Sequence, residues 1–255
     1  MEDQNVSIVY EDECLLVVDK PAGLKTVPLK SDGDDVDTLF GRVKKLYPEC
    51  GSFSGYNSWE SGVLHRLDTP TSGLVVIARN KECFDTMLYS QKAGLFWKEY
   101  IATSHANKDK SVPNGFPPYV LSDPQEASGI PVMIGSLFRM YGKGRKMVAP
   151  VTESCSKLIQ KKATGSWYVT EVSYKGNGEY KCRLSGGFRH QVRAHLAWSG
   201  HPLDGDTIYG GVESSQLGLR AIKVRFQHPY TQEMMEISAP FVYCEPQILN
   251  FQTRA

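Results

Sequence analysis

Short β-type segments recur along the chain, and turns rather than regularly spaced helices separate most of them. The predicted strands cover residues 7–10, 15–19, 74–78, 96–102, 167–174, 180–184, 222–226 and 234–238. Three helices are predicted, over 37–47, over 81–92 with Asn80 as N-cap, and over 190–199 with Gly200 just beyond the end. Many strands without strand–helix alternation predict an α+β fold built on a mostly antiparallel sheet.

The sequence HRLDTPTSG, from His65 to Gly73, places one carboxylate, Asp68, in a turn. Arg66 and Asp68 are two residues apart, so in an extended segment their side chains point to the same side. The apolar run 74–78 that follows predicts a buried strand, which would hold the loop in place. Asp68 is therefore a candidate nucleophile, and the alternative is a carboxylate that only caps the Thr-Pro turn.

The third predicted helix carries a candidate partner for a carboxylate. Helical spacing places Arg189, Arg193 and Ala197 on one face. An arginine on a rigid element can hold a carboxylate by paired hydrogen bonds and keep it ionised at neutral pH. Arg193 is the residue to which we assign this function.

Histidines around the same helix raise the question of a metal. His190 and His195 are five residues apart, so they lie on different helix faces. His201, Asp204 and Asp206 follow, but no Cys or further His completes a ligand set, and these residues resemble turns that leave the helix. We expect no metal site here.

Positive charge is concentrated in residues 136–195, which carry 12 Lys/Arg and 3 Asp/Glu although the whole chain has a net charge of +1. Within this block, strand-like residues around 135–138 and 147–150 flank a Gly-containing turn that carries Arg139, Lys143, Arg145 and Lys146. Such a turn can bind phosphates, and its Tyr141 can stack on a base. The alternative is an ordinary polar hairpin on a solvated basic face.

Composition excludes several classes of protein. The chain is 41% hydrophobic, enough for a core, and no run approaches the ~18 apolar residues of a membrane span. The acidic N-terminus has no signal-peptide pattern. Six scattered cysteines without a C-x-x-C pair indicate reduced thiols and a cytoplasmic protein.

The segment 105–131 is irregular. It holds five prolines and no clear period, which is typical of a lid or binding loop, and we expect it to close over a ligand.

Four ordered motifs resemble those of the RluA-type pseudouridine synthases. HRLDTPTSGL is similar to the family pattern H-R-L-D-x-x-T-S-G-L, and residues 10–28 are similar to the family's opening, with its K-P-x-G. Lys98-Glu99-Tyr100-Ile101-Ala102 resembles the K-x-Y-x-A strand, and residues 190–210 resemble the H-Q-I-R block. One departure is that Gly186-Gly187-Phe188-Arg189 stands where the family usually has T-G-R-T.

This resemblance implies the pseudouridine synthase fold, with an active-site cleft across the sheet, over a single domain, 1–255. We expect 104–135 to be an irregular insertion in that domain, and we expect no S4-like RNA-binding domain before it. The resemblance also implies isomerisation of uridine to pseudouridine in ribosomal or transfer RNA, without cofactor or metal. Nothing in the sequence indicates a membrane segment or an obligate partner protein, so we also expect a monomer that does not bind a membrane. Asp68 would be the nucleophile and Arg193 its partner. Tyr100 would be the ring stacked near the target base, with removal of the C5 proton as a second candidate role. Arg66 would fill the space of a flipped-out uridine. The residues expected to contact RNA are His65, Arg66, Arg139, Lys143, Arg145, Lys146, Arg189, His190 and Gln191.

Two other functions are compatible with these residues. One is an RNA-binding protein of the same fold that has lost its chemistry. The other is a glycoside hydrolase that uses Asp68 with Asp204 or Asp206, a mechanism that needs a second carboxyl group across a sugar cleft.

Overall fold

Ten strands form one sheet in the computed structural model, which describes residues 6–29, 32, 36–57, 59–105, 112–127 and 129–240. The strands are β1 (Ser7–Glu11), β2 (Leu15–Lys20), β3 (Ser72–Ala78), β4 (Trp97–Thr103), β5 (Val132–Tyr141), β6 (Met147–Val151), β7 (Tyr168–Gly176), β8 (Glu179–Leu184), β9 (Leu219–Gln227) and β10 (Met234–Ser238). Each predicted strand coincides with one of them to within a few residues. The predicted α+β class is confirmed.

The order of strands is β1-β2-β3-β9-β4-β8-β7-β5-β6, with β10 paired to β9. Within the described residues, every pair of neighbouring strands is antiparallel except β3 and β9. That parallel contact is short, and joins Ser72 to Arg220 and Gly73 to Ala221. Gly73 has a φ of 114°, and a Cβ there would lie 2.1 Å from the carbonyl oxygen of Ala221, so only glycine fits. The two halves of the sheet therefore meet directly after the HRLD segment.

The described residues form four α-helices: α1 (Leu39–Leu46), α2 (Lys81–Lys92), α3 (Lys157–Gln160) and α4 (Gln191–Trp198). α2 has the predicted bounds, and the side chain of Asn80 caps it by accepting from the Cys83 N–H. α1 begins two residues later than predicted, because Thr38 caps it. The short α3 is not predicted by the sequence.

Strand β2 is buried on both sides, which explains its continuous apolar sequence. Leu15 and Val17 pack in the cluster that contains the buried face of α2, whereas Leu16 and Val18 pack in the cluster that contains α1. The same alternation along β3 places the strand that follows Asp68 in the interior of the molecule.

All eight residues of α4 are buried, so the helix is enclosed rather than laid on the surface. The prediction that Arg189 shares a face of this helix is wrong. His190 has a φ of 54° and precedes the first turn, so Arg189 lies outside the helix.

The irregular segment, 105–131, contains no helix or strand in its described part, 105, 112–127 and 129–131; residues 106–111 and 128 lie outside the described residues. The predicted end of the insertion at residue 135 is wrong, because β5 begins at Val132. This part is packed onto the end of α4. The Trp198 Nε1–H donates to the carbonyl of Pro117 (2.8 Å), and the Tyr119 ring meets the Trp198 ring edge-on. A further bond of 2.7 Å joins His201 Nε2 to Asp123 Oδ1. Closure over a ligand stays a prediction, and it would have to break these contacts.

The expectation that the cysteines are all reduced is wrong for Cys14 and Cys83, which form a disulfide with a Cα–Cα distance of 5.9 Å. The two cysteines are 69 residues apart in the sequence, so their pairing could not be predicted from their spacing. The fold brings them together because the start of β2 and the first turn of α2 are neighbours. Cys50, Cys155 and Cys182 are free, and Cys244 lies outside the described residues. No helix among the described residues is long and apolar enough to cross a bilayer.

Candidate active site

Asp68 lies in a loop that several backbone contacts hold in place. Its main-chain carbonyl accepts from the Thr71 N–H (3.0 Å), which closes the turn. The residue before it is held by Thr26, whose hydroxyl donates to the Leu67 carbonyl and accepts from the Leu67 N–H. The Asp68 side chain does not cap the turn but bonds to Arg193, and it keeps 21% of its surface exposed. The capping alternative is therefore wrong.

Arg193 joins two carboxylates from different parts of the chain. Its Nη1 donates to Asp68 Oδ2 at 3.1 Å, while its Nε and Nη2 donate to both oxygens of Asp206 at 2.7 and 2.9 Å. The guanidinium also lies 5.5 Å from the centre of the Tyr209 ring. Burial opposes the charge of Arg193, but the hydrogen bonds and charge of Asp206, with a smaller effect of Asp68, raise its pKa above the ordinary value. Arg193 is thus a permanent cation whose orientation Asp206 determines.

Tyr100 lies on β4, between Cys182 of β8 and Ala221 of β9. Burial raises the pKa of its phenol, and the negative charge of Asp68 raises it further. The hydroxyl therefore keeps its proton at neutral pH, with the Asp68 carboxylate within electrostatic range. The structure thus joins Asp68 to Arg193 by a hydrogen bond and places Tyr100 near enough for the Asp68 charge to act on the pKa of its phenol.

Lys20 is a further charged group near Asp68, in addition to Arg193 and Asp206, and sequence reasoning missed it. It is fully buried, and its Nζ donates to the carbonyls of Pro21, Leu24 and Thr69 at 2.7–3.1 Å. Burial lowers the pKa of Lys20 to about 8, against the opposing effect of the Asp68 charge. The ammonium ties the K-P-x-G segment to the loop beside Asp68. A lysine at the end of a strand that begins with four buried apolar residues is the signal that could have identified it.

Arg66 is the most exposed of the charged groups in the HRLD segment. Its side chain is 58% exposed, yet Nη1 is bonded to Oε1 of Glu60, whose side chain is 6% exposed. Sequence reasoning also missed Glu60. This carboxylate restrains a cation that otherwise extends into solvent.

The neighbouring His65 is partly buried, and its ring makes contacts inside the fold. Its Nε2 accepts from the Val76 N–H at 3.2 Å, and its ring meets Phe96 edge-on. Burial, and then the charge of Lys98, hold the pKa of His65 well below its usual range. His65 is a neutral side chain used inside the fold.

The turn before α4 accommodates the departure from the family pattern. Phe188 stacks on Phe138 with ring centres 5.1 Å apart, while Arg189 is exposed. His190 is buried, 3.1 Å from the Tyr209 hydroxyl, and burial lowers its pKa to about 4. The displaced arginine thus points outward, and an aromatic residue fills the interior position.

Gln191 is likewise buried and has internal partners. Its amide donates to the carbonyl of Val169 and to the hydroxyl of Thr170, and its oxygen accepts from the Phe188 N–H. His190 differs, because its Nε2 accepts from Arg189 Nε and lies 3.8 Å from Asp68 Oδ2. Contact of either residue with RNA stays a prediction.

The predicted basic turn joins β5 to β6, and its cations divide into two groups. Lys143, Arg145 and Lys146 are exposed and have no ion-pair partner among the described residues. Arg139 instead stacks on Tyr141 and donates to the carbonyl of Gly115 at 2.8 Å, so it anchors the irregular segment. The tip of the hairpin, defined by Lys143, Arg145 and Lys146, is what remains available for phosphates.

The histidines and acids considered as metal ligands have protein partners. His195 lies between the hydroxyls of Ser136 and Thr170, and His201 lies between Tyr180 and Asp123. In the described part of the chain, one group with ligand spacing occurs elsewhere, formed by Asp12, Cys14 and His228. There the sulfur of Cys14 is in the disulfide, and His228 Nδ1 accepts two backbone N–H groups. That geometry leaves Nε2 as the protonated nitrogen, which is unsuited to a metal.

The same contacts bear on glycoside hydrolysis. Both oxygens of Asp206 accept from Arg193, and its side chain is fully buried. Asp204 accepts from the backbone and ring of His105. Neither acid is free to protonate a leaving group beside Asp68, so the glycoside hydrolase hypothesis fails.

Comparisons with known proteins give one consistent family. A family model described as RNA pseudouridylate synthase matches residues 14–198. The chain is 26% identical over 257 residues to ribosomal large subunit pseudouridine synthase D of Neisseria meningitidis serogroup A, with 94% of this chain and 59% of that protein covered. It is 29% identical over 210 residues to the Pseudomonas aeruginosa protein of the same description, with 82% and 55% covered. The chain therefore spans less than two thirds of the length of either relative.

A solved structure adds independent support for the fold. Human RNA pseudouridylate synthase domain containing 1 matches with a TM-score of 0.62 at 22% identity, covering 93% of this chain and 84% of that one. At this level of identity the match establishes the architecture of the chain.

Proposed function

Because the chain belongs to the RNA pseudouridylate synthase family, we propose that it isomerises uridine to pseudouridine in RNA. The substrate is a uridine of ribosomal or transfer RNA, and the descriptions of the bacterial relatives favour large-subunit ribosomal RNA. The reaction breaks the C1′–N1 bond, rotates the uracil and forms a C1′–C5 bond. The proton lost from C5 is matched by one gained at N1, so the base keeps its composition.

Asp68 is the nucleophile in this proposal. One of its oxygens is held by Arg193, and the side chain remains partly exposed, so the carboxylate can reach a bound nucleotide. Attack on the ribose C1′ or on the uracil ring forms a covalent adduct, and both routes suit the geometry. The adduct holds one fragment while the base turns.

The Arg193–Asp206 pair keeps Asp68 ready to react. Asp206 takes two of the guanidinium's hydrogen bonds and so aims the remaining N–H group at Asp68. The hydrogen bond from this permanent cation holds the carboxylate in a fixed orientation, with one oxygen bonded and the side chain still partly exposed. Arg193 therefore acts on the nucleophile, and Asp206 is a positioning residue.

Tyr100 provides a ring against which the target base stacks. Its raised pKa disfavours removal of the C5 proton by a phenolate, so we assign it to base positioning. Arg66 enters the stack in place of the flipped uridine, and the exposed cations at the hairpin tip contact the RNA backbone. We further propose that the enzyme is a monomer that needs neither cofactor nor metal. The Cys14–Cys83 disulfide removes the argument from reduced thiols, so our proposal that it acts in the cytoplasm rests on its expected RNA substrate alone.

The contact between Asp68 and Arg193 carries this proposal, because it joins two residues that are 125 positions apart in the chain at one partly open carboxylate. The test is Asp68→Asn, which keeps the shape of the side chain and removes the nucleophile. We expect the variant to fold and to release no tritium from RNA labelled at C5 of uridine. Asp85→Asn, an exposed position on α2, is the matched control and should retain full activity. Turnover by Asp68→Asn at the wild-type rate would refute the proposal.

The same assay separates an enzyme from a protein that only binds RNA. Wild-type protein that binds RNA but releases no tritium would indicate lost chemistry. Mapping pseudouridines in ribosomal and transfer RNA from cells with and without this protein identifies the target uridine.

A further inference from the structure

Lys98 is a buried cation to which the proposed reaction assigns no role. It lies on β4 two residues before Tyr100, so the two side chains share a face of the strand. Only 6% of the residue is exposed, and its ammonium has no hydrogen bond or ion pair among the described residues. The acid next to it, Glu99, belongs to the opposite face, where it pairs with Lys181 and Arg183. An unpaired buried charge is costly, so its presence calls for an explanation.

The ammonium lies directly beneath an exposed glycine. A Cβ at Gly187 would come within 2.9 Å of Lys98 Nζ, and Gly187 belongs to the exposed turn between β8 and α4. Nζ is not one of the fully enclosed, partnerless polar atoms of the described residues, so it retains contact with solvent. The absence of a side chain at Gly187 lets a ligand approach the ammonium closely.

The described groups nearest the Lys98 ammonium are an aromatic ring and a hydrogen-bond donor, and none of them accepts a hydrogen bond from it. Nζ lies 5.8 Å from the centre of the Phe96 ring, and the ring of His65 lies 5.5 Å from the same centre. Because His65 Nε2 accepts from the Val76 N–H, the neutral ring carries its proton on Nδ1, which is buried and has no partner. Burial lowers the pKa of Lys98 to about 8, in agreement with a missing counter-charge. The ligand that fits is an anion with acceptor oxygens.

We propose, on the basis of the proposed function, that Lys98 binds one phosphate of the RNA backbone next to the target uridine. Two residues place this site close to the nucleophile. His65, near the ammonium, is three residues before Asp68, and Tyr100 is two residues after Lys98 on β4. The exposed cation Arg189 belongs to the same turn as Gly187, which adds to the attraction for a polyanion. A phosphate there would fix the register of the strand while the base is out of the stack.

The test uses a short single-stranded RNA that carries the mapped target uridine. Affinity is measured by fluorescence anisotropy over a series of salt concentrations for the wild type, Lys98→Met and Lys98→Arg. We expect Lys98→Met to weaken binding about tenfold at low salt and to reduce the slope of log K against log salt by about 0.7, the value for one phosphate contact on a single strand. Lys98→Arg should keep the slope, because it keeps the charge. Lys92→Met, an exposed lysine at the end of α2, is the control with the same charge change.

A second arm identifies the phosphate. Neutral methylphosphonates replace the phosphates on either side of the uridine, one at a time. One of them should weaken binding to the wild type and leave Lys98→Met unaffected. If Lys98→Met does not fold, Lys98→Gln provides the same comparison.

An unchanged salt slope in Lys98→Met, or equal sensitivity of both proteins to each methylphosphonate, would overturn this inference. Protection of Lys98 from chemical acetylation by inorganic phosphate but not by the RNA would overturn it too, in favour of a free-anion site. Failure of the proposed function looks different: wild-type protein would then release no tritium from any RNA.

Discussion

A single guanidinium, that of Arg193, distributes its donors unequally between two carboxylates. Asp206 is fully buried and takes two hydrogen bonds, whereas Asp68 takes one and stays partly exposed. The two hydrogen bonds to Asp206 orient Arg193, because a bidentate contact fixes the plane of the guanidinium. The weaker pairing leaves Asp68 with the freedom that a nucleophile needs.

At the residue scale, Glu60→Gln tests whether the buried carboxylate holds Arg66 in place. Glutamine keeps the shape and one acceptor but removes the charge that pairs with Arg66. We expect single-turnover modification to slow about fivefold, equivalent to about 1 kcal/mol, with little change in RNA affinity. Glu82→Gln, in the first turn of α2, is the control. Wild-type rates in Glu60→Gln would show that Arg66 needs no restraint.

The pH dependence of stability reports on Lys98 in the free protein. Its folded pKa is about 8, below the ordinary 10.5, so between these values the unfolded chain binds the proton that the folded chain has released. Stability therefore rises with pH in that window, and we expect the wild type to gain about 2–3 kcal/mol relative to Lys98→Met between about pH 8 and pH 10. Urea unfolding of both proteins at a series of pH values measures this difference. Parallel curves would contradict the assigned burial.

At the scale of elements, the hairpin of β5 and β6 has two parts: Arg139 contacts the irregular segment, and the exposed tip is available for RNA. Arg139 holds the irregular segment through Gly115, and Lys143, Arg145 and Lys146 extend into solvent. Converting these three tip residues to Met should reduce the slope of log K against log salt for RNA binding by about 2, at unchanged thermal stability. The control is the triple Met variant of the exposed lysines in and after α3, Lys157, Lys161 and Lys162. Equal effects of the two triple variants would indicate a diffuse basic face instead of a specific tip.

Element boundaries were largely predictable because their signals are local. Asn80 caps α2 where the sequence places it, and the apolar run after Gly73 is the buried strand β3. The exception is Arg189, which helical spacing assigns to the third predicted helix. Instead, His190 adopts a left-handed conformation before the helix, and Phe188, two residues earlier, packs on Phe138.

At the scale of the whole molecule, the disulfide between Cys14 and Cys83 links β2 to α2. It closes a loop of 69 residues, and reduction should lower the free energy of unfolding by about 3–4 kcal/mol through the greater freedom of the unfolded chain. Denaturant unfolding of the wild type with and without reductant measures this loss. The double variant Cys14→Ala/Cys83→Ala should show no response to reductant. A wild type that is equally stable in both conditions would contradict the link.

The sequence by itself determined the α+β class, nearly all strand and helix positions, the family, and the candidates Asp68, Tyr100 and Arg193. These follow from periodicity, caps and motifs, which are properties of neighbouring residues. Only the tertiary structure decided that Asp206 orients Arg193, that Lys98 is buried without a counter-charge, and that Cys14 and Cys83 are bonded. Each of these depends on which distant segments the sheet brings into contact, and the energy of a buried charge or a crosslink is set by that packing rather than by local sequence.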